Sequence, residues 1–240
     1  RVDSWCFGAL AVLLIWTLVE GTLELDLRTG RIGRLDDFAE AMDLARQVAE
    51  TGAYPTHFTY APPAVALRLG LAVLGTGAGL LWIAAMIAAF VGTLWAVNRL
   101  VGEPPWPGAR ALLTTFACGY AVQWDFRSVN GNLIWVALAL AAILAVGHPW
   151  RAGALLAAAV SLKVYAIVLL PWLLWRRPAV AVPAFVGLLV AFVGVPAVAF
   201  GPVDAVAVTR SWFAASAATS AADFPLTYHG YSTSVHTALV

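Results

Sequence analysis

The chain has 240 residues, of which 62% are hydrophobic and 11% charged, where a soluble domain carries about one-quarter charged residues. That composition excludes disordered, fibrous and disulfide-scaffold classes. A net charge of +1 supplies no surface for tracking the phosphates of a nucleic acid.

A helix crosses the hydrocarbon core when about 20 consecutive residues are apolar. The pattern predicts seven such segments, at 5–22, 62–75, 78–98, 110–124, 131–147, 152–175 and 178–200, with those at 62–75 and 110–124 short. The expected fold is therefore all-α: a single polytopic integral-membrane domain over 1–240, its segments crossing or re-entering the membrane. The first segment lacks a basic leader and a small-residue cleavage site, so it reads as a retained anchor. Cys6 and Cys118 lie in apolar stretches and read as core residues. The chain starts at Arg1 and stops as an apolar run resumes at Thr237, which predicts a fragment whose C-terminal spans are missing.

Polar loops are expected at about 23–61 and 201–236. Eight of the 13 acidic residues fall between Glu20 and Glu50. Within the first loop, residues 36–50 read as an amphipathic helix ended by Gly52. Asp36, Glu40, Asp43, Gln47 and Glu50 form its polar stripe, and Phe38, Ala41, Met42, Leu44, Ala45, Val48 and Ala49 its apolar face. Such a helix is expected to lie in the membrane interface, with Asp37 at the end of the apolar face. Asp37 and Glu40 also fit a capping box, a purely structural role. Tyr54, His57, Phe58 and Tyr60 suit an interfacial aromatic belt, and Pro62 and Pro63 suit a helix start.

Farther on, Asp125, Arg127, Ser128, Asn130 and Asn132 surround Gly131 in a polar knot that an ordinary interhelical loop would also produce. Lys163 is the only lysine and falls near the middle of the segment 152–175. Placing lysine at a spanning-helix centre costs about 2.5–3.5 kcal/mol, so such a residue is paired or functional; a salt bridge with Asp125 is the structural alternative. The tail holds Arg210, Trp212, Asp223, Tyr228, His229, Tyr231 and His236. The positive-inside rule leaves orientation open, because threading the segments as full spans sets Arg127, Arg176 and Arg177 on one side and Arg99, Arg110 and Arg151 on the other. Metal-ligand spacing, a phosphate-binding glycine loop and a nucleophile elbow are all missing from the sequence.

The order of these features resembles glycosyltransferase family 87, polyprenyl-phosphate-mannose-dependent enzymes of the GT-C superfamily. The carrying residues are Asp36–Asp37 with a helix and Gly52, then Tyr54, the block Phe58-Thr59-Tyr60-Ala61-Pro62-Pro63, Asn130-Gly131-Asn132-Leu133, and Ser161-Leu162-Lys163-Val164-Tyr165. A late Asn-Gln-Ser-like motif is replaced here by Ser232-Thr233-Ser234-Val235. The resemblance implies transfer of a hexose, expected to be mannose, from a polyprenyl-phosphate donor to a hydroxyl of a lipid or glycan acceptor. It also implies an active site on the extracytoplasmic face of a bacterial plasma membrane, with no cofactor and no metal. Asp37, or Asp36 in second place, is then the general base. Tyr54, His57, Tyr60, Arg127, Asn130, Asn132, Lys163, His229 and His236 are the expected substrate-binding residues, with Lys163 either contacting the donor phosphate or supporting the acidic loop. The competing reading is a small transporter or lipid flippase, in which Lys163 and Asp125 line the path; a third is a non-catalytic membrane assembly subunit.

Overall fold

The structure is a computed structural model that describes residues 5–6, 8–12, 15, 36–54, 60–75, 77–102 and 107–221. All regular structure among them is helical.

Helix α1 (Asp36–Thr51) forms where the sequence expects it. It ends at Gly52, whose φ of 67° is the left-handed conformation open to glycine, and whose N–H reaches the Val48 carbonyl at 2.8 Å. Phe38, Ala41, Met42, Ala45 and Val48 are buried, whereas Ala49 turns outward. Ala41, Ala45 and Val48 pack with Val65 of α2 (Pro62–Ala72) and with Val208 and Trp212 of α11 (Pro202–Ala221). Much of the apolar face expected to rest on lipid is therefore covered by protein. The expected late loop is likewise corrected: from Pro202 to Ala221 it is helix, because Ala205, Val208, Trp212 and Ala215 recur at helical spacing and are all buried.

Two helical runs, Gly77–Val101 and Pro178–Phe200, are long and apolar enough to cross a membrane. The first is the single helix α3, about 37 Å long at 1.5 Å per residue. Helix α2, at about 16 Å, covers half of a roughly 30 Å hydrocarbon core. The segment expected at 110–124 is divided at Cys118 into α4 (Pro107–Ala117) and α5 (Gly119–Ser128). Helices α6 (Asn132–Leu144) and α7 (Pro149–Leu162) follow, packed against each other as a hairpin.

The expected span 152–175 is corrected as well. Its chain breaks at Lys163, which is extended (φ −142°, ψ 114°), and resumes as a 3-10 turn (Val164–Leu169) and α8 (Leu170–Arg176). Helix α9 (Ala181–Leu189) shows what the break does. A Cβ on Gly153 of α7 would meet Pro183 and Ala184, and one on Gly187 would meet Ala157. Rising numbers thus match rising numbers, so α7 and α9 run parallel and Val164–Arg176 must run back between them. Lys163 sits at the tip of this fold-back. After α9 comes a π turn (Val190–Gly194) and then α10 (Val195–Phe200). Pro196 lacks the N–H that would continue regular α bonding there.

The fold-back puts Arg151 at the same end as Arg176 and Arg177, correcting the threading that separated them. Helix α3 places further arginines there. Gly131, just before α6, lies against Trp82, and α6 packs along α3 from that point. Arg99 is therefore at the same end as the α6–α7 turn, and so is Arg110, which donates to the Gly102 carbonyl at 3.0 Å. Leu80, Val91, Val168, Val182, Phe185 and Val198 point outward, the surface a lipid-embedded bundle presents.

Candidate functional site

At the end opposite those arginines, the start of α2, the α5–α6 connection and the fold-back meet around Tyr60. Its hydroxyl donates to Asn130 Oδ1 at 3.3 Å. The Lys163 Nζ lies 4.5 Å from the ring centroid and the Arg68 Cζ 4.0 Å from it. A cation over an aromatic face gains about 2 kcal/mol or more once desolvated, which helps Tyr60 hold two positive charges near one ring.

Arg68 is 2% exposed. Its Nη1 donates to the Ala64 carbonyl one turn earlier at 3.3 Å, and its Nε has no hydrogen-bond partner among the described residues. The Trp82 ring lies on another side, 5.5 Å from Cζ. The sequence reading missed Arg68. The signal was present, because an arginine inside the apolar segment 62–75 carries the same insertion cost that singled out Lys163.

The α5–α6 connection is built to be rigid. Val129 is left-handed at φ 51°, an outlier for a β-branched residue, and its carbonyl accepts the Trp82 indole N–H at 3.1 Å. Gly131 follows at φ 84°, and a Cβ there would come within 2.5 Å of the Trp82 ring, so two separate constraints select glycine. Asp125 is buried, and its two oxygens accept the backbone N–H groups of Asn132 at 3.0 Å and Leu133 at 2.9 Å. This carboxylate closes the N-terminus of α6 across the turn. Asn132 Oδ1 accepts from the Trp135 indole at 3.4 Å.

The same Trp82 anchors the acidic helix. Phe38 stacks on it with ring centroids 5.6 Å apart, so the first turn of α1, which begins Asp36–Asp37–Phe38, adjoins the wall formed by Trp82 and Arg68. The side chains of Asp36, Asp37 and Arg127 lie outside the described residues, as do all of His57, His229 and His236. The structure thus brings Tyr60, Asn130 and Lys163 together, with Asn132 at the edge. Tyr54 stands apart in the packing of α1, α2 and α11, where burial pushes its hydroxyl above the usual tyrosine range.

Among the described residues no group of three or more His, Cys, Asp or Glu side chains could hold a metal ion. What the cluster offers is two cations, a phenol and an amide beside a rigid turn, with the Asp125 carboxylate near enough for its charge and that of Lys163 to act on each other.

A family model, glycosyltransferase family 87, matches residues 58–239, a stretch that includes Tyr60, Arg68, Asp125, Asn130 and Lys163 and begins after the acidic pair. No curated protein and no solved structure matches the chain. A helical membrane chain matched over most of its length, with its buried polar groups gathered at one end of the bundle, belongs to glycosyltransferase family 87.

Proposed function

We propose that the protein transfers a hexose, mannose by resemblance, from a polyprenyl-phosphate donor to a hydroxyl of a lipid or glycan acceptor. Asp37 is the general base. It takes the proton of the acceptor hydroxyl as that oxygen bonds to the anomeric carbon; the bond from that carbon to the phosphate oxygen breaks, and its electrons leave on the phosphate. A lipid phosphate is a good leaving group and needs no carboxylic acid to protonate it, so one carboxylate suffices, unlike the pair of an inverting glycosidase. Asp36 is the second choice. Tyr60, Asn130, Asn132 and Lys163 contact the donor, joined by His57, Arg127, His229 and His236.

The observation that carries this reading is the shared indole: Phe38 stacks on Trp82, and Arg68 lies over the same ring. The backbone that carries the acidic pair thus adjoins the wall that carries Arg68, which supports a base and a phosphate-binding cation working on one sugar phosphate. By the resemblance the site is extracytoplasmic; Arg99, Arg110, Arg151, Arg176 and Arg177 share the opposite end, while Arg46 on α1 and Arg210 on α11 lie with the site.

The test is transfer of radiolabelled mannose from polyprenyl-phosphate mannose by membranes carrying the protein. Asp37→Asn is expected to lower the rate by about 10²–10⁴-fold, the usual worth of a general base, while Asp36→Asn retains most activity. Wild-type transfer by Asp37→Asn removes the assignment.

A further inference from the structure

We propose that Arg68 and Lys163 together seat the phosphate of the donor, with Tyr60 as the spacer that holds their charges around one anion. The inference rests on the polyprenyl-phosphate reading above and assigns to it a residue, Arg68, that the family motifs do not single out.

Three observations point to a ligand. Arg68 is 2% exposed, yet its Nε has no partner among the described residues, and leaving a buried donor of a charged group unsatisfied is costly. A second cation, Lys163, lies over the same tyrosine ring; its charge also acts on the Asp125 carboxylate, and a phosphate held by both cations would give the Arg68 fork the acceptor it lacks. Finally, the nearest alternative anion seat is taken: the N–H groups opening α6, a ready phosphate site in principle, are occupied by Asp125.

The chemistry explains why two cations are useful. In the donor the phosphate is a diester with one negative charge. When the bond to the anomeric carbon breaks, the departing lipid phosphate becomes a monoester whose second ionisation lies near pH 6, so negative charge grows as the bond lengthens. Cations fixed in place stabilise that growth more than they stabilise the bound donor, which lowers the barrier. Guanidinium supplies a planar fork for phosphate oxygens and ammonium a point charge, and the Arg68 Nε is the fork's unused prong.

The experiment measures binding of farnesyl phosphate, farnesol and inorganic phosphate to the full chain in nanodiscs, alongside mannose transfer. Wild type is expected to prefer farnesyl phosphate to farnesol, and both Arg68→Gln and Lys163→Gln to cut that preference by about ten- to a hundredfold. Arg68→Lys recovers part of it. Inorganic phosphate binding as tightly as farnesyl phosphate would make the ligand free phosphate and overturn the assignment to the donor. Equal binding of farnesyl phosphate and farnesol by wild type overturns the site outright. Should Arg68→Gln not fold, Lys163→Gln and Arg68→Lys decide: unchanged preference in both makes Arg68 a structural residue. The general-base reading fails separately, through undiminished transfer by Asp37→Asn in a protein whose phosphate preference is intact.

Discussion

Asp125 shows how one side chain can set a site without entering it. Its carboxylate spans from α5 to the first amides of α6 and fixes the three-residue turn that carries Asn130 to the Tyr60 hydroxyl. Asp125→Ala leaves the buried Leu133 N–H and the part-buried Asn132 N–H without an acceptor, at about 1–3 kcal/mol for the buried one. Thermal unfolding in detergent is expected to show a loss of that order, together with weaker donor binding. A variant as stable as wild type would mean that the turn is held by Trp82 and Gly131 alone. Residues at this scale were unevenly legible. The knot at 125–132 stood out because Asp, Asn and Gly cluster between apolar runs. Arg68 did not, because a hydropathy window averages one charge away. Nothing in the sequence near Asp125 said that its carboxylate would accept two backbone amides as well as feel the charge of Lys163.

At the scale of elements, the parallel contact of α7 and α9 forces the fold-back between them. Gly153 lets the Pro183–Ala184 backbone approach so closely that an added Cβ would sit 2.5 Å from the Ala184 nitrogen, the small-residue packing on which membrane helices rely. Gly153→Val is expected to cost about 1–3 kcal/mol through overpacking, read as a lower melting temperature. It should also weaken transfer, since the Lys163 tip is positioned by this pair. An unchanged melting temperature would show that α9 shifts freely and that the register is not fixed here. The fold-back was illegible in the sequence because Ser161-Leu162-Lys163-Val164 contains no glycine or proline to mark a break. The contact that imposes it comes from residues about 20 positions later. Helix α1 was legible to within a residue because its own stripe of alanine, methionine and valine, with Gly52 behind it, specifies a helix locally; that α2 and α11 would cover the stripe was a tertiary fact.

For the whole molecule, the fold-back changes the topology of everything after it, and with it the meaning of the charges. Counted along seven full spans, the arginines balance and indicate no orientation; on the structure, Arg99, Arg110, Arg151, Arg176 and Arg177 gather at one end, with Arg46 and Arg210 on the helices at the other. Trp95, Trp150 and Trp175 lie exposed at that end too, as residues of a headgroup belt do. In a background with Cys6 and Cys118 replaced by serine, His148→Cys and Arg177→Cys are expected to react with an impermeant maleimide from the cytoplasmic side only, and Asp204→Cys from the other. Labelling of positions 148 and 177 from opposite sides would restore a through-going span at Lys163 and undo the grouping.

The widened turn at Val190–Gly194 adds a last consequence. A π turn admits one residue more than regular α winding, and each residue swings a helix by about 100°. Phe192, inside that turn, meets Trp212 of α11 at 6.2 Å between ring centroids, and the helix then delivers Phe200 to the packing of α1 and α2. Deleting a single residue from the turn would rotate the lower part of this helix by more than a quarter of a circle. The surplus residue thus acts as a phase setting: it aligns a long apolar rod with α11 and with α1, the helix that carries the acidic pair.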